Sequence, residues 1–77
     1  RIEEVTPAPR FAGQPLDAIL PAGPDQALLV ALKHGSDWVF NPPRARRLDQ
    51  GETLIVMIAA TELPALRDRL GDRAAGR

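Results

Sequence analysis

The stretch "GETLIVMIAATELPALRDRLG", residues 51–71, decides how the chain folds. It begins at the end of a turn, Asp49-Gln50-Gly51-Glu52, with Gly51 where a positive φ is expected. Thr53 to Ala59 follows as an apolar run of strand length, with the continuous hydrophobicity of a central strand buried on both faces. Thr61 then offers an N-cap, Pro64 falls in a first turn where its missing N–H is harmless, and Leu63, Leu66 and Leu70 recur at helical spacing. Gly71 supplies the stop. The chain therefore ends in a central strand followed by a helix that packs back on it.

Working outward, Ala27 to Leu32 has the same continuous apolar character and the same strand expectation. His34-Gly35-Ser36-Asp37 signals a hairpin turn, and Trp38-Val39-Phe40 alternates so that Trp38 and Phe40 share a face. Upstream, Ile2 to Val5 is a short strand, Thr6 to Pro9 is extended, and Gly13-Gln14-Pro15 feeds a short helix with Leu16, Ile19 and Leu20 on one face. Pro21 ends that helix and Gly23-Pro24 continues as a loop. The expected fold is α+β and two-layered, in the order β-α-β-β-β-α. A small, mostly antiparallel sheet carries a short helix after strand 1 and a C-terminal helix. Residues 1–71 are expected to form one domain, and 72–77, small and polar, a disordered tail.

Composition narrows the function. A chain of 77 residues makes one small domain, and at that size only about 60% of the unfolded surface is buried. Cys is absent, so no disulfide or thiolate metal site can staple the core. Ten basic and ten acidic residues balance, which argues against a nucleic-acid polymer as partner. The apolar runs reach seven residues, far short of the about 20 needed to span a bilayer. A signal-peptide pattern is missing, and with Arg1 rather than Met at the start the sequence is expected to be a piece of something longer. One short helix and one terminal helix can cover only one face of the sheet. The other face is expected to meet a second copy or a host protein.

"WVFNPP", residues 38–43, ends a strand abruptly, because neither Pro42 nor Pro43 can donate to a sheet ladder. A stiff loop should leave the sheet there and carry Arg44, Arg46 and Arg47. Those three, with Asn41, are the candidate ligand-binding residues, able to hold an anion by charge-assisted bonds. The same residues also read as a rigid connector with a solvated basic rim. Catalytic and metal-binding residues are expected to be none. Ser36 and His34 lie two apart in a tight turn, where they do not face each other. Glu3 and Glu4 point to opposite faces of a strand, and no Gly-rich phosphate loop occurs. Trp38 could stack on a ligand, or it could serve packing.

Taken together, "AGQPLDAIL", "LLVALKHG", "WVFNPP" and "RLDQGETLIVMIAATELPALRDRL" resemble, in order and spacing, the C-terminal subdomain of the regulator-of-potassium-conductance family, also called the TrkA-C domain. The resemblance covers about residues 1 to 71. It implies a cytosolic, dimerising and ligand-sensing module of a bacterial potassium channel or potassium transport protein, at the cytoplasmic face of the inner membrane. The implied partners are a second copy, an N-terminal Rossmann-type subdomain, the membrane pore of the parent, and a small anionic effector. No cofactor and no enzymatic activity are implied. The alternative is a purely structural assembly module of a cation antiporter or other transporter, with no ligand of its own. Members that bind cyclic di-AMP resemble one another in an Arg and an Asn leading into the second strand. Between Leu16 and Lys33 this sequence has neither, and Leu28 stands about where the Asn would be, so the resemblance does not carry that ligand here.

Overall fold

The structure, a computed structural model, describes residues 1–21 and 27–72. The Gly23-Pro24 loop and the tail from residue 73 onward lie outside the described residues. The elements are β1 (Ile2–Val5), a 3-10 turn (Pro9–Phe11), α1 (Leu16–Ile19), β2 (Leu28–His34), β3 (Asp37–Phe40), β4 (Thr53–Met57) and α2 (Leu63–Leu70). The four strands form one sheet in the order β1-β4-β2-β3, antiparallel throughout. The fold is a small α+β domain with a short helix after strand 1 and a C-terminal helix, as expected.

Each boundary has a local cause. Gly35, with φ 62°, opens the two-residue connection between β2 and β3, where a tight hairpin needs a positive φ. Gly51 adopts φ 84° in the turn before β4. Gly71 ends α2 in the left-handed region, and its N–H donates to the carbonyls of Arg67 and Asp68. The start of α2 differs from expectation. Glu62, not Thr61, is the N-cap residue, and no side chain caps the helix. Tertiary packing of Leu66 and Leu70, both buried, positions a helix that a cap would otherwise have to start.

The core lies between the sheet and the two helices. Leu54 and Val56 of β4 meet Val5 of β1, Leu29 and Leu32 of β2, Leu16 and Ile19 of α1, and Leu66 and Leu70 of α2. Burying each such side chain contributes about 1.5–3 kcal/mol. Leu29 and Leu32 are three residues apart and would face opposite sides of a regular strand. An irregularity in the β2–β4 register between Leu29 and Ala31 inserts one residue and restores both to the core. The same shift sends Leu28 and Ala31 to the other face. The uninterrupted run from Ala27 to Leu32 thus combines a parity change with burial on both sides at its middle, where Ala31 and its partner Ile55 are buried on the outer face.

Burial on both faces is overturned at one end of each central strand, since Leu28 and Met57 are 59% and 48% exposed. β4 also stops at Met57 rather than Ala59. Side-chain bonds clamp α2 and the residue after Gly71 to β1 and Thr6. Arg67 donates from Nη1 to the Glu4 carbonyl at 2.9 Å and to Asp72 Oδ2 at 2.7 Å, and Thr6 N–H donates to Asp72 Oδ2 at 3.1 Å. Asp72, expected at the start of the tail, is buried and belongs to the fold. Among the described residues no helix is long and apolar enough to cross a membrane.

Candidate interaction surface

The basic loop after the prolines is not held off the sheet. Asn41 leaves β3 with φ 49°, a left-handed conformation that Asn tolerates better than most residues, and its N–H donates to the Val30 carbonyl at 3.0 Å. Beyond Pro42 and Pro43 the chain lies against residues 13–17. Leu16 N–H donates to Arg46 O at 2.9 Å, Asp17 N–H to Arg44 O at 3.0 Å, Gly13 N–H to Leu48 O at 2.8 Å, and Leu48 N–H to Gln14 O at 2.9 Å. Leu48 enters the core. Backbone groups on both segments need partners once Leu48 is buried, and they find each other.

The three arginines are carried on one segment, and each is committed to an internal acceptor. Arg44 donates from Nη2 to the Leu20 carbonyl at the end of α1. Arg47 donates from Nη1 to the Gly13 carbonyl at 2.6 Å. Arg46 forms a two-pronged pair with Glu52, Nη1 to Oε1 and Nη2 to Oε2, both at 2.8 Å. Asn41 supplies a backbone conformation at the strand end.

Glu52 is buried with its carboxylate fully used. Besides Arg46, Asp49 N–H donates to Oε1 at 2.8 Å, and His34 Nδ1 lies 3.0 Å from Oε2. Arg46 is the largest influence holding the Glu52 carboxyl down at about 2. The Asp49 N–H and His34 bonds act in the same direction, against burial, which pushes it up. The group is therefore a carboxylate and acceptor only, so His34 donates from Nδ1. Reciprocally, the carboxylate raises the Arg46 guanidinium above its ordinary value. His34, Asp49 and Glu52 bring oxygen and nitrogen donors within 4.8 Å of one another. A cation there would have to displace the guanidinium that occupies both Glu52 oxygens. The cluster pins the 44–52 loop to the end of β2 and explains why a charged side chain is tolerated inside so small a core.

The other face of the sheet is of a different kind. Cross-strand register places Ile2, Met57 and Leu28 in one row, Glu4, Ile55, Ala31 and Phe40 in the next, and Thr53, Lys33 and Trp38 in a third. None of these side chains belongs to the core between the sheet and the helices. Phe40 is 70% exposed, and Ile2 and Trp38 are also exposed. Trp38 and Phe40 stack with ring centroids 5.8 Å apart and planes inclined by 12°, and the Lys33 ammonium lies 5.6 Å from the Trp38 centroid. Five large half-exposed side chains put roughly 500 Å² of apolar surface on one side of the domain, at the upper end of what a monomer carries.

Comparison with protein-family models, with curated proteins and with solved structures found no match to this chain. The Trp38–Phe40 half of the face is legible from simple alternation. The Leu28–Met57 half is hidden inside continuous apolar runs, and only the bulge shows which members of β2 face outward. The Arg46–Glu52 pair spans a turn with no periodic signal in the sequence.

Proposed function

We propose that the domain is a non-catalytic, self-associating regulatory module, and that its open sheet face serves a protein interface. The observation that carries this is the apolar surface from Ile2 to Phe40, on the side of the sheet away from both described helices. A standard interface buries about 800 Å² per partner, which this face approaches once its polar rim is included. The resemblance to the TrkA-C domain supplies the context: a second copy as partner, a Rossmann-type subdomain and a membrane pore in the parent protein, and control of potassium flux at the cytoplasmic side of the inner membrane. In that setting a change in how two copies meet shifts the pore between states.

The candidate effector site at Arg44, Arg46, Arg47 and Asn41 belongs to this reading, with a small anion as ligand. The internal partners of all three guanidiniums favour the second reading, an assembly module of a cation antiporter or other transporter that binds no effector. Potassium flux through the full-length parent, reconstituted in liposomes, tests the regulatory role. Phe40→Glu should alter the flux or its regulation while leaving the domain folded. A parent that carries no potassium, or whose flux ignores Phe40→Glu, would overturn it.

A further inference from the structure

The two edges of the sheet are unlike. On β1, alternation turns the main chain of Ile2 and Glu4 outward, and the Glu4 carbonyl is taken by Arg67. On β3, the Asn41 N–H bond to Val30 sets the parity. Val39 and Asn41 direct their main chain toward β2, whereas Trp38 and Phe40 direct theirs away from the sheet. Among the described residues, no side chain or backbone group is bonded to that outer side. All of β3 is exposed, including Val39 on the helix side at 37%. Among the described residues no element packs over this strand or along its outer edge. Its outward N–H and C=O groups at Trp38 and Phe40 are a template for pairing with another strand, limited in length by Asp37 at one end and the prolines at the other.

We infer that β3 pairs antiparallel with β3 of a second copy, joining two sheets into one of eight strands about a two-fold axis through Val39. The proposal rests on the reading of the domain as self-associating and names the contact. The strand is its own complement. With Val39 opposite Val39, Trp38 falls opposite Phe40 of the other copy. These are the residues whose N–H and C=O groups face outward, so both directions of the exchange are satisfied. Asp37, the only charge on the strand, meets Asn41 rather than another Asp37. The Trp38–Phe40 stacks of the two copies become neighbours in the middle of the joined face. Pro42 and Pro43 end the ladder just beyond the paired segment and keep the contact short. Packing face to face would cover Trp38 and Phe40 but would leave Val39 and the edge amides in water.

Two substitutions at Val39 separate these arrangements, because its side chain points away from the apolar face. The chain has no Cys, so Val39→Cys introduces a single thiol. At a non-hydrogen-bonded antiparallel pair the α-carbons lie about 4.5 Å apart, within disulfide range. Mild oxidation should convert most of the Val39→Cys protein to a covalent dimer and leave Met57→Cys largely monomeric. Val39→Lys sets like charges opposite each other and should weaken the dimer at least tenfold at low salt, with recovery at high salt. A dimer that survives Val39→Lys and cross-links through Met57→Cys instead would overturn the edge pairing and leave the self-association intact. A wild-type chain that sediments as a monomer would overturn both.

Discussion

The Arg46 guanidinium and the Glu52 carboxylate meet through two parallel hydrogen bonds of 2.8 Å each, with Glu52 wholly withdrawn from water. Breaking this pair from one side leaves a buried charge without its partner. Arg46→Ala is expected to lower stability by about 3 kcal/mol, read from urea unfolding. Arg44→Ala and Arg47→Ala remove single hydrogen bonds to carbonyls and should cost about 1 kcal/mol each. Equal, small losses at all three positions would mean that the arginines are a solvated rim.

The same carboxylate makes stability depend on pH. Its pKa is about 2 in the folded protein against an ordinary 4.5, so the unfolded chain takes up the proton first. The contribution is complete above pH 4.5, declines as pH falls, and is gone once pH passes below about 2. At most it amounts to about 3 kcal/mol. Thermal melts of the wild type between pH 6 and pH 2.5 should fall more steeply than those of Glu52→Gln. Parallel curves would remove Glu52 as the source.

Leu54 and Val56 both face the helices, whereas Met57 faces the open side. Leu54→Asp or Val56→Asp places an unpaired carboxylate in the core and should cost about 4 kcal/mol or prevent folding. Met57→Asp should move the unfolding midpoint of the dilute protein by less than about 1 kcal/mol. If the midpoints of all three agree with wild type, the faces of β4 are misassigned.

An effector at the basic loop would have to work through groups already engaged. Calorimetric titration of the wild type with a panel of nucleotides, followed by the Arg44→Ala/Arg47→Ala variant, addresses this directly. A regulatory site predicts at least tenfold weaker binding in the variant, since each charge-assisted bond is worth about 1.5–3 kcal/mol. No binding to the wild type, or equal affinity, favours the assembly reading.

The order of elements was legible because each is punctuated by residues with a single conformational meaning: Gly35 and Gly51 in turns, Pro15 before α1, Gly71 after α2. Leu63, Leu66 and Leu70 announced the helix by spacing alone. The parity of β2 was not legible, because a one-residue bulge inside an all-apolar run leaves no trace in composition. The docking of the loop after Pro43 was not legible, because its anchors are backbone bonds to residues 13–17, which depend on the tertiary fold. For the same reason the arginines read as available charge. Their acceptors are mostly carbonyls, to which the sequence gives no clue.

The claim that the domain self-associates through the Trp38–Phe40 side of the sheet is tested by equilibrium sedimentation of the wild type and of Phe40→Glu across the micromolar range. Phe40 is already largely in water, so the substitution leaves the monomer folded. The wild type is expected to be a dimer, and Phe40→Glu a monomer with unchanged circular dichroism. A wild-type chain that remains monomeric at high micromolar concentration would contradict it.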